Sequence, residues 1–277
     1  MVMSESDSYP LGYSEDEAGR LANQGAFLED LTADVLRRAG IESGMEVLDL
    51  GCGVGDVSVL AATMVGEFGA VLGIDRAASS VETARRRAAA LGMRNVRFEI
   101  AELDAFDSAE RFDAIIGRFV LLYQPDPIAV LRRFRNLLKP NGIIAFQEMD
   151  METASQVPTS ETFTCILSWI LGGFKAGGAE LNMGSKLLGA FLNAGLPRPT
   201  MIAASRAESG PDSKVYAILA QIVQSLLPLV ERTGATTAEE ADMGTLAHRL
   251  RQDAVANESV TFWPRLVGAW SRLPKSG

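Results

Sequence analysis

Val47-Leu48-Asp49-Leu50-Gly51-Cys52-Gly53-Val54-Gly55-Asp56 decides the fold. An apolar strand carrying one acid runs straight into a turn with glycine at every second position, and the turn opens into a helix. Glycines at 51, 53 and 55 carry no Cβ, so the backbone tolerates φ > 0 and can approach a bulky ligand closely. The stretch reads as a cradle for a nucleotide-type cofactor.

Spacing narrows the ligand. A dinucleotide fingerprint needs G-x-G-x-x-G, with the third glycine letting the helix pack on the strand and the pyrophosphate sitting at the helix N-terminus. Here the third glycine comes one residue early and Asp56 takes its slot. An acid there suits the helix dipole but repels a pyrophosphate. A cofactor with a sulfonium and an amino-acid end gains from nearby carboxylates, which favours S-adenosylmethionine. Working outward, Asp75 ends the apolar run Ala70–Ile74, at the distance from the loop where an acid accepts the ribose hydroxyls. Val96–Ile100 reads as a third strand that delivers Glu102 and Leu103 to the same edge, Glu102 in reach of an adenine amino group, with Asp104 as the alternative. Asp49 reads either as a buried acid holding the loop amides or as a direct cofactor contact, and Asp75 alternatively as a helix N-cap.

These pieces, together with Phe112–Arg118 and Leu138-Lys139-Pro140-Asn141-Gly142, resemble the class I S-adenosylmethionine-dependent methyltransferases of the bacterial small-molecule type over residues 15–150. One departure is Ala101-Glu102, where many members carry Gly-Asp. The resemblance implies an α/β fold, a doubly wound, seven-stranded, mostly parallel Rossmann-like sheet with a helical cap, within one methyltransferase domain over residues 1–277. Residues 1–40 would form an N-terminal helical lid, 41–150 the cofactor-binding core, and 151–196 and 210–256 cap insertions. The implied cofactor set is Asp49, Gly51, Gly53, Gly55, Asp75, Arg76, Glu102, Leu103 and Arg118, with Gln24 and Tyr13 of the lid against the methionine part.

Alternating strand and helix patterns support a parallel sheet. An amphipathic helix over 14–40 ends at Gly40, a C-cap candidate. Strands are expected at 46–50, 70–75, 95–100, 113–118 and 142–148, and helices near 55–65, 78–92 and 126–138. Beyond Asp150 the chain reads as helices broken at Gly172, Gly173, Gly177 and Gly178. A sixth strand follows over 197–204 and a helical stretch over 214–256, and Val260-Thr261-Phe262-Trp263 is expected as the seventh strand. Arg85-Arg86-Arg87 reads as the wet face of a helix.

Composition sets bounds. With 277 residues, 47% of them hydrophobic, there is ample material for a core. A net charge of -9 and the lack of a sustained Lys/Arg run argue against nucleic acid as a partner and for a small-molecule substrate. The two cysteines, Cys52 and Cys165, imply neither a disulfide framework nor a zinc site, so no metal is expected and a reducing cytoplasm is the natural home. The first residues lack signal-peptide character, and no continuous apolar run of membrane-spanning length exists, so no membrane association is expected. A helical cap could present an apolar face to a second copy, which leaves a homodimer open.

Ligands of open α/β sheets lie beyond the carboxyl ends of the strands. Methyl transfer asks mainly for alignment and exclusion of water, and a base only where the acceptor is protonated. Glu148 is the main candidate to orient or deprotonate an acceptor, with Tyr13 and the single histidine, His248, as further catalytic candidates. Phe119, Tyr123, Trp169 and Phe174 are candidate walls for a small, apolar or aromatic acceptor of secondary or quinone metabolism, although each is also a plausible core residue. Two other classes stand beside a methyltransferase. One binds S-adenosylmethionine for another rearrangement or as a sensor. The other is a nicotinamide-dependent oxidoreductase, disfavoured by the early third glycine and the lack of a Tyr-x-x-x-Lys pair.

Overall fold

The computed structural model describes the backbone of residues 15–275 and the side chains of residues 24–275. In chain order the elements are α1 (Glu15–Ala39), β1 (Glu46–Leu50), α2 (Asp56–Val65), β2 (Ala70–Asp75), α3 (Ala78–Ala90), β3 (Val96–Ile100), β4 (Phe112–Arg118), α4 (Pro127–Arg135) and β5 (Leu138–Asp150). Then follow β6 (Ser155–Val157), α5 (Glu161–Ala176), α6 (Met183–Asn193), β7 (Thr200–Ala204), β8 (Ala207–Glu208), α7 (Val215–Arg232), α8 (Ala238–Ala241), α9 (Leu246–Ala256), β9 (Val260–Phe262) and β10 (Arg265–Arg272). The chain divides into two compact units. One holds Leu21–Glu148, Met183–Ala203 and the residues from Val267 on; the other holds Met149–Asn182, Ala204–Leu266 and the beginning of α1.

The first unit is built on a seven-stranded sheet of order β3-β2-β1-β4-β5-β10-β7. β1 pairs in parallel with β2 and β4, β2 with β3, and β4 with β5. β2, β4 and β5 read as largely apolar runs because helices cover them, whereas β3, at the edge, alternates with Arg97 and Glu99. One layer of core joins Leu36, Ala39 and Ile41 to Val57, Ala61 and Val65 over Val47, Val71, Ala114, Ile116 and Ile143. A second gathers Cys52, Val81, Ala84, Ala88 and Phe98 under α3. The glycine loop emerges between them, at the carboxyl end of β1.

The strand expected at Val260–Trp263 is not the seventh strand of this sheet. Val260–Phe262 is β9, the middle strand of a separate three-stranded antiparallel sheet of order β6-β9-β8. The place beside β5 belongs to β10, eight residues with a glycine inside. Leu273 N–H donates to Gly142 O at 2.9 Å and Asn141 N–H to Pro274 O at 3.3 Å, so the end of β10 lies beside the start of β5 and the two run antiparallel. The helix expected over 126–138 stops at Arg135, since Leu138 already pairs with Phe112.

In the second unit α5 runs unbroken through Gly172 and Gly173. A Cβ on Gly173 would meet Leu226 and Val230 of α7 at 3.1 Å, so this glycine admits close helix packing and does not break the helix. Gly177 and Gly178 do end it. By length and composition α7 is apolar enough to cross a membrane, but 61% of it is buried within the protein, as in a core helix.

Gly268 of β10 lies against α1, where an added Cβ would stand 2.6 Å from Val35 Cγ2. Gly268→Ala is expected to destabilise the protein by about 1–3 kcal/mol through overpacking. Urea unfolding with an unchanged m-value checks it.

Candidate functional site

The parallel strands of the first unit place their carboxyl ends side by side, with Leu50 opposite both Ile74 and Gly117 and Asp75 opposite Ile100. At this edge the glycine loop divides its labour. A Cβ on Gly51 would press on Val120 at 3.0 Å, and one on Gly55 on Ala84 and Phe98 at 3.0–3.2 Å, so these two serve packing. Gly53 differs: it adopts φ 52°, and a Cβ there would meet nothing within 4 Å. The loop turns its bare backbone to open space at this residue, as a cradle for a ligand requires.

Asp75 fixes that turn. Its Oδ2 accepts the Gly53 N–H and its Oδ1 the Ala77 N–H, both at 2.9 Å. Burial pushes its pKa up while these two bonds and nearby Arg76 hold it down. A carboxylate has about four lone-pair sites, so two remain for the hydroxyls of a ribose. Asp75 is not the helix N-cap, which is Ala77; its bond to Ala77 N–H closes the turn before α3 and leaves acceptor sites for a ribose. Ala101 N–H donates to Asp75 O at 3.0 Å, which carries Glu102, exposed, and Leu103, half-buried, past the same point. Arg76 is half-buried beside Asp75, and Gln24 of α1 is buried. Tyr13 lies outside the described residues.

Asp49 is buried at the carboxyl half of β1, where its Oδ2 accepts the Ser58 hydroxyl at 2.5 Å. Burial pushes its pKa up to about 7, against the Ser58 bond and the field of Arg118. Asp56 opens α2 and pairs with Arg87 at 2.6 Å, and the same guanidinium donates to Val54 O at 2.6 Å. Arg85 donates twice to Phe98 O, at 2.7 and 3.2 Å. The arginine triplet is therefore not a plain wet face: two of its three members brace the loop and β3.

Arg118, at the end of β4, donates to Thr32 Oγ1 of α1 at 3.0 Å. Burial lowers its pKa, and the carboxylates of Asp56, Asp49 and Glu29 act the other way. Its guanidinium lies 5.6 Å from the ring centroid of Phe119, which sits at φ 58°. A bulky residue in that region is an outlier of the kind that clusters at ligand clamps. Tyr123, half-buried, closes the 3-10 turn Leu121–Tyr123 that follows.

Glu148 lies near the end of β5. Its carboxyl is wholly buried, and Oε1 accepts the N–H groups of Val120 and Leu121 at 3.0 and 2.8 Å. Burial pushes its pKa up to about 8, against those bonds, and Oε2 has no partner. Through Oε1 it braces the β4 exit, and burial favours its neutral form. His248 is exposed on α9 in the other unit, and Trp169 is half-buried on α5 there. Phe174 of α5 is buried in the core. Among the described residues both cysteines are free, and no group of three His, Cys, Asp or Glu could hold a metal ion. Sequence reasoning passed over Thr32, Ser58 and Gln147. Only Thr32 left a trace, a polar residue in helical register with Gly25 and Leu28.

Known proteins match the part of the chain that carries this geometry. A family model described as a methyltransferase domain covers residues 41–182. Aklanonic acid methyltransferase DauC of Streptomyces sp. (strain C5) is 39% identical over 106 residues, which is 38% of this chain and 48% of that protein. Ubiquinone biosynthesis O-methyltransferase of Neisseria meningitidis serogroup C is 36% identical over 115 residues, 40% of this chain and 47% of that one. The chain thus spans about half the length of the curated relatives it matches. Among solved structures, a methyltransferase-like protein of Bacillus halodurans superposes with a TM-score of 0.58 at 15% identity, over 88% of this chain and 99% of that one, which shows a shared fold.

The two raised carboxyls set a pH dependence. Because the folded protein holds the Glu148 proton up to about pH 8, while an ordinary glutamate releases it near 4.5, stability falls as pH rises across that window. Glu148→Gln keeps the Oε1 acceptor and removes the proton. Denaturant midpoints followed from about pH 5 to about pH 9 are expected to slope less steeply in this variant, which gains on the wild type at the alkaline end. An unchanged slope would place the titration elsewhere.

Proposed function

Since the chain belongs to the class I S-adenosylmethionine-dependent methyltransferases, we propose that it transfers a methyl group from S-adenosylmethionine to N, O or C of a small, largely apolar or aromatic metabolite. The observation that carries this reading is the Gly53 turn, open at its bare backbone and held by an Asp75 carboxylate with two acceptor sites to spare. When bound, the cofactor supplies an activated methyl on a sulfonium, displaced in line by the acceptor's lone pair as the carbon–sulfur bond breaks and its electron pair returns to sulfur.

The chain's own residues then bind and orient. Asp75 accepts the ribose hydroxyls, Glu102 the adenine amino group, and Leu103 lies against the adenine ring. Gly53 lets the backbone pass beneath, Gly51 and Gly55 pack the loop against its neighbours, and Asp49 and Arg76 set the local field. Arg118 receives the carboxylate of the amino-acid end, with Gln24 of α1 at the same end. Phe119 and Tyr123 line the acceptor side of the first unit. The chain's part in the rate lies in alignment and exclusion of water, which suit a donor that is already activated. No general base is assigned.

An aromatic acceptor of quinone or secondary metabolism is supported by the names of the relatives, an aklanonic acid methyltransferase and a ubiquinone biosynthesis O-methyltransferase. Two free cysteines, one in the ligand loop, fit a reducing cytoplasm.

Calorimetric titration with S-adenosylmethionine, S-adenosylhomocysteine and NAD tests the cofactor. Micromolar binding of the first two is expected, with a loss of at least about tenfold in Asp75→Ala. Transfer of labelled methyl to a panel of quinols, catechols and amines then tests the activity. Binding of NAD alone, or of nothing, would overturn the reading.

A further inference from the structure

Outside the glycine loop, the described part of the first unit buries a second polar system. Thr32 and Gln147 are both almost fully buried. Thr32 Oγ1 accepts from Arg118 Nη1 at 3.0 Å and lies 2.8 Å from Gln147 Oε1 and 3.1 Å from Leu28 O. A hydroxyl has one proton, so it donates to one of these two acceptors while its lone pair takes the guanidinium. Gln147 is the strand neighbour of Arg118, and its own backbone carbonyl accepts the Phe119 N–H at 2.9 Å. Three elements, α1, β4 and β5, therefore meet at one hydroxyl behind Arg118.

The front of the same guanidinium is electrostatically loaded. Asp56, Asp49 and Glu29 all act on it, and Gly25 lies so close to Asp56 that an added Cβ would stand 2.3 Å from the carboxylate carbon. Gly25, Leu28, Glu29 and Thr32 recur at helical spacing, so one face of α1 carries both the hydroxyl behind Arg118 and the residue seated on Asp56. A guanidinium offers five donors in a rigid fork, and holding one of them from behind fixes where the others point.

We propose that Thr32 and Gln147 are positioning residues for Arg118, and that through them the seating of α1 sets the affinity for the carboxylate-bearing end of the cofactor. The inference rests on the reading that Arg118 receives that carboxylate. Removing the hydroxyl leaves a buried guanidinium donor without its acceptor and free to turn toward Asp49 or Asp56. The cost then falls on ligands with an amino-acid end and spares those without one.

Two probes separate the ends. S-adenosylhomocysteine carries the carboxylate, and 5′-methylthioadenosine keeps the adenosine and sulfur without it. In calorimetric titrations Thr32→Val and Gln147→Leu are expected to lose about tenfold on the former, as for a hydrogen bond to a charged group, and to keep their affinity for the latter. Thr32→Ser, which retains the hydroxyl, is expected to bind both as the wild type does. Arg118→Gln should show the same selective loss, larger in size. Equal losses on both probes, or none, in Thr32→Val while Arg118→Gln keeps its selectivity would overturn the relay alone. An Arg118→Gln variant with no selective loss, or a wild type that binds neither probe, would overturn the cofactor assignment on which the relay stands.

Discussion

The bond from Gly53 N–H to Asp75 Oδ2 is the constraint on which the site depends. It joins the turn after β1 to the end of β2, so the loop takes its shape from two adjacent strands. The same carboxylate also receives Ala77 N–H at the entrance to α3. One side chain thus holds the loop, ends a strand and ties the turn before α3, while keeping acceptor capacity. Moving β2 relative to β1 by one residue would point this acid to the other face of the sheet and leave the turn without its anchor.

Around that bond the protein keeps an unusual density of acid in a poorly hydrated place. Asp49 and Glu148 are the buried extremes, raised to about 7 and about 8 by burial. Their solutions differ. Asp49 keeps a hydroxyl donor, Ser58, and lies in the field of Arg118, so its charge is partly met. Glu148 has only backbone N–H groups, and burial favours its neutral form. That arrangement lets a carboxyl tie the β4 exit, where Phe119 is held at φ 58°, without adding another negative charge beside Asp49, Asp56 and Asp75. The stored backbone strain at Phe119 is offset by that tie and by the Phe119 N–H bond to Gln147 O.

How much of this was legible in the sequence follows the range of the interactions. The strand and turn at 47–56 and the acid at 75 are local patterns, and β1 and β2 fall where the apolar runs place them. Val260-Thr261-Phe262 is a strand as its β-branched and aromatic residues suggest, but three residues of that kind fit any sheet, and the pairing partner, not the segment, decides which. β10 was hidden by its internal glycine, whose function is to let α1 approach. The triplet Arg85-Arg86-Arg87 looked uniform because charge alone is visible. Which of three arginines bends back to a carbonyl depends on the positions of Val54, Asp56 and Phe98, fixed only when α3 lies on the sheet. Glu148 is legible as an acid at a strand end and a candidate to orient an acceptor, but a sequence does not show which backbone amides turn toward it.

The first helix shows how one amphipathic face can carry two kinds of work. Toward its end Val35, Leu36 and Ala39 are buried and anchor it by burial, Leu36 and Ala39 within the sheet core and Val35 against Gly268 of β10. One to three turns earlier the same face changes to Gly25, Glu29 and Thr32, small or polar groups that meet Asp56 and Arg118. Apolar packing is insensitive to what lies beyond the strand ends, whereas the polar contacts depend on charge balance there. The apolar end therefore holds the helix in register, and that register brings the Thr32 hydroxyl to Arg118 and glycine to the one place where Asp56 leaves no room for a Cβ. A shift of one residue along α1, some 100° of rotation, would put a side chain in the carboxylate's place and turn the hydroxyl away, so the helix face is specified at both ends by different physics.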